Sequence, residues 1–443
     1  MVRLAGTISR IATCKVMVIG DLMLDTYTIG KAKRISPEAP VAVVQVMREE
    51  SRPGGAGNVI LNLVSLGAEV VAVGRLGPDS SGEFLRKSLM QEGVDVQGLF
   101  VQEDFATPLK NRVIAENQQI VRVDYEQVKP LPEALECQII GSLPLLMSGI
   151  SAIAISDYGK GFLSPKLLRA IIDQANLQHI PVITDPKGLD FYKYRGSTII
   201  KPNLSEAYAA AGLLPDADLN HAAQKILQMT EAQTLMITRS ESGISIFHRD
   251  GQRNDFPVHV REIKDVTGAG DTVLAMLTCA IANGLLIDEA AQLSNVAAGI
   301  AIERFGCARV TLSELARRLL EHDVVNKVFD EEHLFALKEA LKGQCYTLIG
   351  LSGVNGMTSS IFSAIHRMAK TGHDLVIYLL DTNYDDDFVN LLAALHDVKF
   401  IILHSESLSS LCQAIHPSSI YAIVDKEFTQ LQKASDLFKF SLV

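Results

Sequence analysis

Short apolar runs alternate with amphipathic stretches along most of the chain. Lys15-Val-Met-Val-Ile-Gly20 is an apolar run stopped by glycine and Asp21. That is the pattern of a strand buried on both faces of a parallel sheet. Val70–Gly74, Ser151–Ser156, Pro181–Thr184, Thr198–Lys201 and Thr234–Thr238 repeat it. Ile244–His248 and Val258–Val260 predict a hairpin. Between the runs lie predicted helices: Val59–Leu66 closed by Gly67, Gly82–Glu92 closed by Gly93, Pro165–Gln178, Thr272–Asn283 and Glu289–Phe305. Strands alternating with helices predict a doubly wound, mainly parallel α/β sheet.

Two stretches break this rhythm. Residues 29–46, with Pro37 and Pro40 beside a loosely alternating Val41–Val46, carry no interleaved helix. Nor do residues 107–124, where Arg112-Val-Ile and Ile120–Asp124 alternate. They predict a small antiparallel sheet inserted into the α/β body. Beyond Thr311 the chain becomes helical and charged over 313–342, and the strand–helix rhythm restarts at Tyr346–Leu351, Leu375–Leu380 and Phe400–Leu403. The expected division is a first domain over 1–320, a linker over 321–343 and a small second α/β domain over 344–443.

Composition narrows the function classes. With 48% hydrophobic and 21% charged residues among 443, the chain can bury a sizeable core. A formal charge of -10 argues against a general nucleic-acid binder. The six cysteines form no CxxC pair, which signals neither a zinc site nor a disulfide framework and fits a reducing cytoplasm. Arg3, Arg10 and Lys15 interrupt any signal-peptide core. Gly141, Pro144 and Gly149 break the longest uncharged stretch, so no membrane span is expected.

The strongest chemical feature is Asp265-Val-Thr-Gly268-Ala269-Gly270-Asp271, opening an apolar helix. Small residues there let amide N–H groups converge where the helix dipole is positive, a setting for a phosphoryl group. Asp271 can act as a general base or simply stabilise the helix start. No GK[ST] follows, so this is not a Walker A loop. Gly54, Gly55 and Asn58 open a second helix; they can admit a sugar or form a tight turn. Asp21 and Asp25 follow the first strand, at the edge where open α/β sheets bind ligands. They can hold a sugar diol or cap a turn. Asn203 and Glu206 can flank a hydrated Mg²⁺ or form a capping box. Lys110, Arg112, Arg122 and Lys187 are candidate phosphate partners or solvated surface charges. No GxGxxG follows the first strand, which disfavours a dinucleotide oxidoreductase.

Taken together, the DVTGAGD run, Gly54-Gly55 with Asn58, and Asn203-x-x-Glu206 resemble the PfkB/ribokinase-type carbohydrate kinases over residues 15 to about 312. Arg34-Ile-Ser-Pro-Glu-Ala-Pro40, Asn117-Gln-Gln119 with Arg122-Val-Asp124, Ser156-Asp-Tyr-Gly-Lys-Gly161 and Asp185-Pro-Lys-Gly188 narrow the resemblance. They look like the kinase half of the bifunctional heptose 7-phosphate kinase/ADP-heptose synthases. That resemblance implies phosphorylation of the anomeric hydroxyl of D-glycero-D-manno-heptose 7-phosphate by ATP, on the path to lipopolysaccharide core heptose. It implies Asp271 as base, and the amides of Gly268, Ala269 and Gly270 as the anion hole. Asn203 and Glu206 would organise Mg²⁺, and Thr238, Gly243 and Asn295 would line the nucleotide site. Asp25, Gly54, Gly55 and Asn58 would contact the sugar; Arg34, Lys110 and Lys187 would take its 7-phosphate. ATP and Mg²⁺ are the implied cofactors, with a monovalent cation as a further candidate. The inserted sheet becomes a lid, which in this family often forms a homodimer contact.

The tail departs from that pattern. Those enzymes carry a nucleotidyltransferase domain with an HxGH signature, and no HxGH occurs in this chain. Gly350–His366 stands in the analogous place, and Thr371–Asn383 resembles that domain's second strand. The tail is also short. The expectation is a degenerate, Rossmann-like transferase domain without adenylyltransferase activity. A kinase for another sugar or nucleoside, or a silent sugar- or nucleotide-binding regulator, are the alternatives.

Overall fold

The computed structural model describes the chain apart from residues 1–6, 117, 259–262, 305, 323–326, 331–332, 355, 371, 383–384, 405–406, 409–410, 413–415, 425–426 and 441–443. The chain forms two compact units, one over residues 11–311 and one over residues 1–10 with 312–443.

The larger unit begins with β1 (Lys15–Gly20), followed after the single residue Asp21 by β2 (Leu22–Ile35) and then β3 (Ala42–Gly55). Next come α1 (Ala56–Ser65), β4 (Glu69–Leu76), α2 (Ser80–Gln91), β5 (Asp95–Val101), β6 (Leu109–Ala115) and β7 (Gln118–Tyr125). The regular rhythm then takes over: α3 (Glu133–Leu146), β8 (Ala152–Ser156), α4 (Pro165–Leu177), β9 (Val182–Asp185), β10 (Ile199–Ile200), α5 (Leu204–Ala211), α6 (Leu219–Thr230) and β11 (Thr234–Thr238). The hairpin β12 (Ile244–His248) and β13 (Arg253–Phe256) and the helices α7 (Ala269–Ala282) and α8 (Ile287–Ile302) complete it.

The main sheet has nine strands in the order β13-β12-β11-β10-β9-β8-β1-β4-β5. It is parallel except for β12 and β13. The chain builds outward from β1 to β4 and β5 on one side, then restarts at β8 on the other. The carboxyl ends of β1 and β8 therefore frame the topological switch point, where such sheets bind ligands. The two strands approach closely, for a Cβ on Gly20 would lie 2.1 Å from the carbonyl oxygen of Ser156. One face of the sheet packs Met17, Ile19, Ile153 and Ile155 against Leu167, Ile171, Phe191 and Tyr194, all fully buried. Each such aliphatic side chain contributes about 1.5–3 kcal/mol by leaving water.

The inserted sheet has the order β3-β2-β6-β7. It is not purely antiparallel as the sequence suggests. The β2–β3 and β6–β7 pairs are antiparallel hairpins, but β2 and β6 pair in parallel. The reason lies in the connections. β2 leaves the main sheet from the carboxyl end of β1, and β6 leaves it from the carboxyl end of β5, so both set out in the same direction. The second strand of the late hairpin also differs from expectation. It lies at Arg253–Phe256, because the turn at Gly251 (φ 90°) fixes the pairing of Phe247 with Arg253; residues 259–260 of the expected strand lie outside the described residues.

The second unit contains α9 (Leu312–His322), β14 (Val328–Phe329), α10 (Leu334–Leu341), β15 (Tyr346–Leu351), α11 (Ser359–Ala369), β16 (Asp374–Leu379), α12 (Asp386–Ala394), β17 (Val398–Ile402), β18 (Ser419–Val424) and β19 (Glu427–Leu431). Its sheet runs β14-β17-β16-β15-β18-β19, parallel apart from the β18–β19 pair. This is the expected small α/β domain, and its switch point lies between β15 and β18. β14 and α10 fall within residues 321–343.

Candidate active site

At the switch point the amino end of α7 meets the carboxyl ends of β1, β8 and β9. Gly268 caps α7 with φ 80°, a backbone conformation that favours glycine. A Cβ there would sit 2.6 Å from Nδ2 of Asn58. Asp265 pins the turn: its carboxylate accepts from the amide (2.9 Å) and hydroxyl (2.7 Å) of Thr267 and from the amide of Gly306 (2.9 Å). Burial works against its charge, but these bonds hold its pKa below the ordinary aspartate value. The amide of Ala269 is turned back to Val266 at 3.2 Å, so it does not face outward. Gly270 is exposed in the first turn, where helix geometry gives its amide no intrahelical acceptor; the helical ladder begins at Thr272, whose amide bonds to the carbonyl of Gly268 at 3.0 Å.

Asp271 is buried in the first turn of α7. Its Oδ2 accepts from Nδ2 of Asn58 at 2.8 Å and its Oδ1 from the hydroxyl of Tyr158 at 2.5 Å. Burial pushes its pKa up to about 7 against the pull of these two donors; the charge of Asp185 adds to the rise and that of Lys201 opposes it. A carboxylate so placed is half-ionised near neutrality, which suits a base that must accept and then release a proton. Lys201 is buried, paired with Asp185 at 2.9 Å, and its Nζ lies 3.8 Å from where a Cβ on Gly270 would be.

The sugar-side candidates gather on the other flank. Asp25 is buried and forms an ion pair with Arg112 of the neighbouring β6. A Cβ on Gly54 would lie 2.0 Å from Oδ2 of Asp25, so only glycine leaves that carboxylate its place. Gly55, at φ 56°, leads into α1 and so to Asn58. The buried thiol of Cys307 is 3.6 Å from Oδ2 of Asp25. Beside them lies a cavity of about 300 Å³ lined by Arg52, Pro53, Asn58, Leu61, Cys307 and Arg309. Asp21 is also buried but serves as an anchor, accepting from the amides of Tyr158 (2.9 Å) and Lys160 (3.1 Å). Burial and then the nearby charge of Asp157 raise its pKa.

Several other candidates have partners within the fold. Asn203 and Glu206 form a full capping box on α5, with bonds of 2.9 and 3.1 Å. The remaining oxygen of Glu206 receives Lys187 at 2.7 Å. Lys110 pairs with Asp124 at 3.5 Å and Glu126 at 3.3 Å. Arg122 pairs with Asp124 at 2.9 Å, and Arg34 lies exposed on β2. Thr238 bridges to Asn203, which brings the β11 end to the capping box. Asn295 donates to the carbonyl of Phe256 at 2.7 Å, and a Cβ on Gly243 would lie 2.1 Å from that same oxygen. Gly243 and Asn295 thus fix one turn beside β11. Among the described residues no group of three or more His, Cys, Asp or Glu could enclose a metal. The hard oxygens of Asn203 and Glu206 suit a Mg²⁺ that keeps its waters and takes its other ligands from phosphates.

Tyr158, Lys201, Cys307, Arg52 and Arg309 carry no assigned role in the sequence. The available signal for Tyr158 was its place in Ser156–Gly161, directly after a buried strand.

A buried helix-borne carboxylate, glycine-rich turn and lidded switch point fit a phosphotransferase of the ribokinase type. The chain belongs to the pfkB family of carbohydrate kinases, whose sequence profile matches residues 14–314. Its relatives include the bifunctional protein HldE of Trichlorobacter lovleyi, 40% identical over 415 residues that cover 90% of this chain and 84% of that protein. HldE of Helicobacter hepaticus is 40% identical over 336 residues, covering 74% and 70%. Among solved structures, Arabidopsis thaliana ribokinase complexed with ribose and ATP matches 70% of this chain and 99% of its own (TM-score 0.54, 15% identity). Escherichia coli phosphofructokinase-2 in complex with fructose-6-phosphate matches 70% and 99% (TM-score 0.57, 20% identity). These two likenesses are of fold.

Proposed function

We propose that this protein is a cytoplasmic kinase that transfers the γ-phosphoryl group of ATP to the anomeric hydroxyl of D-glycero-D-manno-heptose 7-phosphate. The product, the 1,7-bisphosphate, leads toward ADP-heptose and lipopolysaccharide core. The observation that carries the reading is the buried Asp271 carboxylate, held by Asn58 and Tyr158 at the amino end of α7. Asp271 takes the proton of the sugar hydroxyl, the freed oxygen bonds to the γ-phosphorus, and the bond from phosphorus to the bridging oxygen of ADP breaks. Gly268 and Gly270 keep the α7 entrance open so that its amides can stabilise the charge on the transferred group. Asp25, Gly54, Gly55 and Asn58 orient the sugar. Asn203 and Glu206 are offered to Mg²⁺ or its waters, and bound Mg²⁺ would neutralise phosphate charge. Glu206 must then exchange Lys187 for the ion's shell, which frees Lys187 for a phosphate. Thr238, Gly243 and Asn295 shape the nucleotide side.

For the acceptor's own phosphate we assign the cavity wall with Arg52 and Arg309, next to Asn58. Lys110 and Arg34, on the lid, are the secondary candidates. The lid itself we read as a homodimer contact. Val121, Val123 and Tyr125 alternate along β7 and all stay exposed in one chain. The second unit we read as a transferase domain without adenylyl transfer. Its sequence lacks HxGH, the carboxylate of Asp381 is occupied by the amide of Gly353 (2.5 Å), and Phe388 lies 2.7 Å from where a Cβ on Gly353 would be.

The test is ³¹P NMR of the full chain with ATP, Mg²⁺ and a sugar panel. Heptose 7-phosphate should give the 1,7-bisphosphate with the highest kcat/KM. Preference for another sugar or a nucleoside would move the substrate while keeping the kinase; no transfer to any acceptor would leave a binding protein.

A further inference from the structure

The loop that carries Tyr158 is held more firmly than a connecting loop needs to be. Its amides at Tyr158 and Lys160 bond to the buried Asp21. Asp157, also buried, receives the hydroxyl of Tyr194 (2.6 Å), Nζ of Lys193 (2.8 Å) and the amide of Gly159 (2.7 Å). Arg75, fully buried, donates to the carbonyl of Lys160. All this restraint converges on one phenol, whose hydroxyl meets Oδ1 of Asp271 at 2.5 Å. The carboxylate is faced by Asn58 from α1, Tyr158 from the loop after β8, Asp185 from the end of β9, Lys201 from the end of β10, and Cys307 beyond α8. Among the described residues, the hydrogen bonds to this carboxylate come from Asn58 and Tyr158.

We propose that Tyr158 is a positioning residue of the phosphoryl-transfer site: its hydroxyl fixes the direction of the Asp271 carboxylate and favours its charged form. This rests on the reading of Asp271 as the base. A carboxylate oxygen accepts more than one hydrogen bond, so Oδ1 can receive the sugar hydroxyl while Tyr158 stays bound. With Oδ2 tied to Asn58, the acceptor has one direction of approach. A donor to the charged form lowers the pKa of a buried acid, which offsets the burial that raises that of Asp271.

The experiment compares the full chain with Tyr158→Phe, measuring kcat/KM for heptose 7-phosphate from pH 5 to pH 9. Losing a donor to a charged group should move the acidic limb up by roughly one pH unit. Activity at pH 7 should fall about fivefold and recover toward pH 9. KM for ATP should hold. A merely structural role would lower the whole profile without moving the limb. Asp21→Asn keeps the phenol and weakens the loop's anchor; it should shift the limb the same way by less. Carbon-13 titration of carboxyl-labelled aspartates, with Asp271 assigned by its loss in Asp271→Asn, reads the same shift without turnover. An unmoved limb or an unmoved titration in both variants would overturn the proposal. Should Asp271→Asn keep full turnover, the base itself is misassigned; should it be inactive while Tyr158→Phe titrates like the parent, only the role of Tyr158 falls.

Discussion

The proposed base is a side chain that folding penalises. Asp271 is buried with its pKa raised to about 7 from an ordinary 3.8. In the proposed role of base it must be ionised, so kcat/KM should climb through pH 7 and level off above it. The sign for stability is opposite. The native state binds a proton that the unfolded state has lost between about pH 4 and 7, so this group's contribution falls as pH rises through that window. Urea titrations should show wild type losing stability there relative to Asp271→Asn. Turnover of Asp271→Ala should fall about 10²–10⁴-fold with ATP affinity kept. At the cavity, Arg52→Gln and Arg309→Gln should each raise KM for the phosphorylated heptose about tenfold and leave unphosphorylated heptose unchanged. A matching loss for both sugars would place the phosphate elsewhere. Asp271 and its glycines are legible because small residues before an apolar helix have few uses. Asn203 and Glu206 are ambiguous because one spacing serves a capping box and a metal shell, and the fold makes the box. Tyr158 is illegible because its partner is 113 residues away and a tyrosine after a strand is ordinary.

Elements are legible where burial differs from face to face or where glycine marks an end. β1, β8 and β11 show as compact apolar runs. The first seven residues of β2 are all buried, so they lack the alternation that marks a half-exposed strand. The parallel pairing of β2 with β6 depends on where both leave the main sheet, which no local pattern records. Two substitutions test elements directly. Asn203→Ala removes the α5 cap and should cost about 1 kcal/mol in a denaturant melt. Gly243→Ala is worse, because φ 81° is combined with a Cβ placed 2.1 Å from the carbonyl of Phe256. It should cost at least about 1–3 kcal/mol, with weaker ATP binding from the displaced turn.

At the scale of the molecule, two units with separate cores predict two calorimetric transitions. A fragment over residues 11–311 should phosphorylate the sugar by itself. The full chain given heptose 1-phosphate and ATP should release no pyrophosphate; steady release would mean that the second unit transfers adenylyl groups without HxGH. Light scattering should report a dimer that Val121→Lys with Val123→Glu reduces to a monomer. Among the described residues no helix is long and apolar enough to cross a membrane.

A single residue, Asp21, joins β1 of the main sheet to the long first strand of the lid, and its carboxylate grips the loop of Tyr158. At the far side of that loop, Lys160 is paired at 2.7 Å with Glu126, just past the last lid strand. Exchanging the lid of this protein to change its acceptor should therefore alter the setting of the proposed base as well as the roof over it. A transplant that retains Asp21 and Glu126 should inherit a working base; one cut inside that articulation should bind its new sugar and leave it unphosphorylated.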